Sequence, residues 1–100
     1  EVMKFHEYYV YILKCSNQTY YTGVTSNLTQ RVQQHQAAED PKSYTARFAP
    51  CELVFYTTFN NIDYAIEKEK QIKKWSKAKK EALIRGEYEA LPNLSKKNFT

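Results

Sequence analysis

Residues 8–15 run Tyr-Tyr-Val-Tyr-Ile-Leu-Lys-Cys, aromatic and β-branched with neither Gly nor Pro. Such a run predicts a strand. Its alternating sets are Tyr9, Tyr11, Leu13, Cys15 and Tyr8, Val10, Ile12, Lys14. Both are largely apolar, which predicts a central strand covered on both faces. Ser16-Asn17-Gln18 is a turn signal. Residues 19–25 read as a second strand, so 8–25 predicts a β-hairpin. Gly23 inside it marks a bulge or a close backbone approach. Asn27-x-x-Gln30 is a variant capping box. It opens a helix to about Ala38, with Leu28, Val32 and His35 along one side. Residues 39–43 form a loop and 44–50 an irregular turn. Residues 52–59 predict a third strand. Asn60 or Asn61 can cap a helix over about 61–74, and Ser76 another over 77–85, with Gly86 a natural stop.

The order ββαβαα implies an α+β fold, a small three-stranded antiparallel sheet packed by helices. At 100 residues there is one core and no second lobe. The organisation expected is an N-terminal extension over 1–7, a domain over 8–86 and a C-terminal tail over 87–100. In that tail Leu91, Leu94 and Phe99 could dock. Hydrophobic residues are 42%, charged residues 26%, with only 2 Gly and 3 Pro, which excludes collagen-like and disordered chains. No apolar run approaches the roughly 18–20 residues of a membrane span. No secretory signal is visible, and a start at Glu1 rather than Met fits trimming upstream. Cys15 and Cys51 read as free thiols in a reducing, cytoplasmic setting. A bridge between them stays open if their strands lie side by side.

Charge is uneven. The chain carries a formal +4, yet residues 68–80 alone hold Lys68, Lys70, Lys73, Lys74, Lys77, Lys79 and Lys80 against Glu69. All the excess positive charge therefore sits in one stretch. It reads as a nucleic-acid contact or as a solvated lysine-rich helix face.

Glu69 breaks the pattern around it. Ile62, Ala65, Ile66, Glu69 and Ile72 follow one apolar helical stripe. A carboxylate there points toward the protein body and needs a cation or strong donors. It reads as a ligand for a divalent metal or as the acid of a buried ion pair with Arg31 or Arg47. Arg31 and His35 stand one helical turn apart. An arginine fork suits phosphate, and a histidine shuttles protons near neutral pH, though taken alone the pair reads first as an ordinary surface arginine and a half-buried histidine. The positive neighbour should keep His35 neutral. Most of the nine tyrosines read as core and rim.

Spacing joins these features. Tyr9-Val10-Tyr11, nine residues, then Tyr21-Thr22-Gly23 on a hairpin resembles the GIY-YIG nuclease superfamily. Arg31 follows Tyr21 by ten residues and His35 comes four further on, offsets that match the first helix of that superfamily. Ala65 with Glu69 four residues later resembles its glutamate helix. The resemblance covers roughly residues 8–85, and the chain looks like the small stand-alone bacterial proteins of the group. Tyr9 stands where the first motif has Gly, and Thr22 where the second has Ile. Many active members also carry an Asn after the glutamate helix, for which Asn93 is a candidate by order alone.

The resemblance implies hydrolysis of a DNA phosphodiester by an endonuclease with one divalent ion, Mg²⁺ or Mn²⁺. Carried over, Tyr11 is the general base or orients water, and His35 relieves it of its proton. Tyr21 lines the site, Arg31 holds the scissile phosphate and Glu69 holds the metal. Branched, damaged or nicked DNA fits such an enzyme, with repair or recombination as the setting. A partner protein or a homodimer could supply the missing specificity domain. The competing reading is a nucleic-acid-binding module of the same fold without turnover. One geometric demand follows: Tyr11 and Tyr21 must face the same side of the hairpin, which a turn of three or five residues allows.

Overall fold

The computed structural model describes residues 6–87. Strands β1 (Tyr8–Lys14) and β2 (Tyr20–Thr25) form the hairpin, followed by helices α1 (Leu28–Gln36) and α2 (Tyr44–Arg47). Strand β3 (Glu52–Phe59) and helices α3 (Ile62–Lys73) and α4 (Lys77–Ile84) complete the fold. The sheet is antiparallel in the order β2-β1-β3, so β1 is central as its two apolar faces require. This is the α+β architecture expected, with one addition. Residues 44–47, read from sequence as irregular, make a single helical turn. The Ser43 side chain accepts from the Ala46 N–H and caps it.

Alternation along β1 builds two buried clusters, one on each face of the sheet, where length alone predicts a single core. Val10 and Ile12 are fully buried against Ala65 and Ile72 of α3 and Leu83 of α4, with Trp75 and Phe55 at the margin. Tyr11, Leu13 and Cys15 point to the other face, with Cys51, and meet Leu28 and Val32 of α1 and Phe48. Burying a side chain such as Ile12 or Ile72 contributes roughly 1.5–3 kcal/mol relative to exposure. A register shift in β3 between the partners of Ile12 and Leu13 keeps both faces filled. Cys15 and Cys51 are free thiols with their sulfurs 3.2 Å apart, where the end of β1 meets the start of β3. Burial, with Cys15 alongside, pushes the Cys51 thiol up to about 12.

The three caps form, but the Asn27 N–H is met by Thr25 Oγ1 at 3.1 Å rather than by Gln30, so the capping box is only half made. Asn27 accepts from the Gln30 N–H, Asn61 from those of Asp63 and Tyr64, and Ser76 from that of Lys79. Ile62 departs from the expected stripe. It is 39% exposed, because α3 turns its first residue off the sheet while Ala65, Glu69 and Ile72 stay buried. The expected docking of Leu91, Leu94 and Phe99, and the candidate Asn93, lie outside the described residues.

Candidate active site

The hairpin turn decides which tyrosines meet. Lys14 pairs with Tyr20, leaving five residues between the strands, and the Cys15 N–H closes on the Thr19 carbonyl. Gln18 takes φ 70° within the turn. Leu13 then lies opposite Tyr21, and Tyr11 opposite Gly23. Tyr11, Leu13 and Tyr21 thus share one face, and the geometric demand is met. The Tyr11 ring leans over Gly23 into space that a side chain there would fill.

Helix α1 brings His35 onto the same spot. The ring centroids of Tyr11, Tyr21 and His35 lie 5.2–6.3 Å from one another. The Tyr11 hydroxyl is 2.8 Å from His35 Nε2. On the far side of the imidazole, Nδ1 is 2.8 Å from Thr45 Oγ1, and Thr45 is buried. Ser43, the cap of α2, stands 3.4 Å beyond. Thr45 is the residue sequence reasoning missed. It sits on the unforeseen turn α2, ten residues past His35, where no periodicity marks it.

Electrostatics sort the groups. Burial pushes the Tyr11 hydroxyl above its ordinary value, while the nearby Arg31 guanidinium pulls it part of the way back. His35 moves the opposite way: burial first, and then the Arg31 charge, disfavour its imidazolium. At neutral pH the pair is a protonated phenol facing a neutral imidazole.

Arg31 is exposed, with Nη1 3.4 Å from Gln34 Oε1. A groove of about 480 Å³ opens beside it, walled by Tyr21, Arg31, Gln34, His35 and Thr45, with Glu39 and Asp40 also on its lining. Tyr11 itself has no exposed surface and lies beneath this groove.

Glu69 lies on the buried stripe of α3, between Ala65 and Ile72, which pack against the Val10 and Ile12 face of the sheet. It is 8% exposed, and its Oε2 is 2.7 Å from Lys73 Nζ, one turn along α3. The cation the sequence demanded is therefore Lys73 rather than Arg31 or Arg47. The Glu69 charge is the smallest of the influences on the Tyr11 hydroxyl, and Tyr21 bears weakly on Lys73. Glu69 does not line the groove. Its hard oxygens suit Mg²⁺ or Mn²⁺. Among the described residues no three of His, Cys, Asp or Glu come together. One carboxylate with water and substrate phosphate is the donor set Mg²⁺ commonly accepts, so these residues fit such an ion.

The lysine-rich stretch divides. Lys70, Lys73, Lys74 and Lys77 are exposed, and Lys68 and Lys80 half-buried. Lys79 is buried, its ammonium 4.0 Å from the Trp75 ring centre, a cation–π contact that turns it toward the protein. Among the described residues no helix is long and apolar enough to cross a membrane.

Comparison with known proteins agrees with this fold. The GIY-YIG catalytic domain matches residues 7–82. A UPF0213 protein of Natronomonas pharaonis is 43% identical over 81 residues, covering 81% of this chain and 94% of its own. Another, of Syntrophus aciditrophicus, is 40% identical over 77 residues, covering 77% and 88%. The solution NMR structure of a UPF0213 protein from Bacillus halodurans superposes with a TM-score of 0.52 at 33% identity, over 79% of this chain and 83% of that one. The paired tyrosines, α1 and the glutamate helix of this chain all fall within the matched span, and the chain belongs to the GIY-YIG catalytic-domain family, alongside small stand-alone UPF0213 proteins.

Proposed function

We propose that the chain is a metal-dependent endonuclease that hydrolyses DNA phosphodiester bonds. The observation that carries this reading is the chain of contacts from the Tyr11 hydroxyl to His35 Nε2, and from His35 Nδ1 to Thr45. A binding module has no need of a buried phenol aimed at a neutral imidazole.

In this reading His35 donates Nδ1–H to Thr45 Oγ1, which leaves Nε2 free to accept from Tyr11. Arg31 binds the scissile phosphate in the groove. As the oxygen of the attacking water bonds to phosphorus, its proton passes to the Tyr11 oxygen and the Tyr11 proton passes to His35 Nε2. The ester P–O bond breaks, and the leaving oxygen takes a proton from solvent. Tyr21 walls the groove and holds water or phosphate. Glu69 would hold the divalent ion, which supplies Lewis-acid stabilisation of the leaving oxygen. The exposed lysines of 68–80 would track the phosphate backbone, a contact that positions DNA without reading its sequence.

Tyr11→Phe tests this directly, since it keeps the ring and its packing and removes only the hydroxyl. Nicking of supercoiled DNA in Mg²⁺ or Mn²⁺ should fall by about 10²–10⁴-fold, the usual contribution of a positioned acid–base group. Nicking at the parent rate would contradict the assignment of Tyr11.

A further inference from the structure

A second aromatic surface shares the sheet face with the candidate site. Tyr56 on β3 is the direct cross-strand partner of Tyr11, so both side chains leave the same face. Tyr11 is covered, whereas Tyr56 is 53% exposed. Tyr9 precedes Tyr11 by two residues on β1, again on that face, with its ring 6.2 Å from that of Tyr56 and edge-on to it. The two rings border a hollow of about 290 Å³ whose other walls are Ser26, Asn27, Leu28 and Thr29, where β2 turns into α1.

The chemistry of this hollow differs from that of the Arg31 groove. The Tyr9 hydroxyl donates to Glu7 Oε1 at 3.2 Å. No cation among the described residues lines the hollow, unlike the groove with Arg31, and its ring faces suit a flat neutral partner. Nucleobases are such partners, and every base offers a π face. A base inside a duplex is already stacked on its neighbours and gains nothing from a protein ring. An unpaired base gains a stacking contact.

We propose that Tyr9 and Tyr56 form a stacking platform for an unpaired base of the DNA strand whose phosphate Arg31 holds. The proposal rests on the nuclease reading and adds to it a place for a flanking nucleotide. The platform recognises the absence of pairing rather than a base sequence.

Binding is measured with EDTA present, so that cleavage does not intrude. The probes are a single-stranded oligothymidylate and a blunt duplex of equal length. Tyr56→Ala should weaken single-strand binding roughly 5–150-fold and leave blunt-duplex binding within about twofold. Tyr56→Phe should bind like the parent. Tyr56→Trp should bind as well and show fluorescence quenching on addition of the single strand, a readout independent of how Tyr56→Ala folds. Equal single-strand affinity for Tyr56→Ala and parent, or a Tyr56→Trp signal indifferent to the oligonucleotide, would overturn the platform. So would an equal loss on the duplex. A parent protein that binds neither probe would instead contradict the nuclease reading itself, which keeps the two failures apart.

Discussion

Gly23 faces Tyr11 across the β1–β2 ladder, and the Tyr11 phenol occupies the space that a side chain on Gly23 would need. The glycine supplies room rather than an unusual backbone. That room lets the phenol lie down against β2 and present its hydroxyl to His35 Nε2 at 2.8 Å. A bulkier residue would lift the ring and break the alignment.

Gly23→Ala is therefore expected to act on the chemistry more than on the fold. A methyl group meets the hydroxyl end and flank of an aromatic ring held in a packed core. Overpacking of this kind costs about 1–3 kcal/mol. Misplacement of a reacting group by about 1 Å costs about 10²-fold in rate. Urea unfolding and DNA nicking, measured side by side, check both. A variant that nicks DNA at the parent rate would show that the seat of Tyr11 is immaterial.

His35 gives the pH dependence its sign. Burial and the Arg31 charge lower its pKa below the ordinary 6.5. Only the neutral imidazole can accept the Tyr11 proton. Cleavage should therefore rise as pH climbs through the His35 pKa on the acid side, and be level through neutrality. The same shift bears on stability. The folded state resists protonation of His35 more than the unfolded chain does. Its contribution is present above about 6.5 and is lost as pH falls through the folded pKa. Titration of the His35 ring protons by NMR should give a midpoint below 6.5, and Arg31→Gln should move it upward. A parent midpoint above 6.5 would contradict this electrostatic account.

Thr45 is expected to act through His35. Thr45→Val keeps the volume but removes the group that faces Nδ1 at 2.8 Å. Cleavage should drop about 10–100-fold, the range seen when the partner of a functional histidine is lost. Thr45→Ser should restore most of it. The ¹⁵N shifts of the imidazole report the tautomer, and Thr45→Val should reduce the Nδ1–H population. A merely structural Thr45 would leave those shifts unchanged while lowering the melting temperature.

Legibility followed the range of the contact. The strands, three of the caps and the shared face of Tyr11 and Tyr21 are set by neighbours in sequence, by alternation and by turn length. Glu69 was legible because a carboxylate on an apolar stripe must be buried, and it is. Its partner was not, since the nearest cation in space proved to be Lys73 on the same helix rather than an arginine from another element. Thr45 and the turn α2 were hidden for a related reason. One capped turn of four residues has no period to read, and its contact with His35 exists only once α1 and α2 pack. Lys79 looked like one more surface lysine until Trp75 supplied a ring to cover.

The central claim is that Glu69 serves metal-assisted cleavage rather than the fold alone. Nicking of supercoiled and branched DNA with Mg²⁺ or Mn²⁺, by the parent protein beside Glu69→Gln, tests it most directly. The account expects the parent to cut, and the variant to lose cutting while binding DNA at least as well. Equal cutting by both proteins would contradict it.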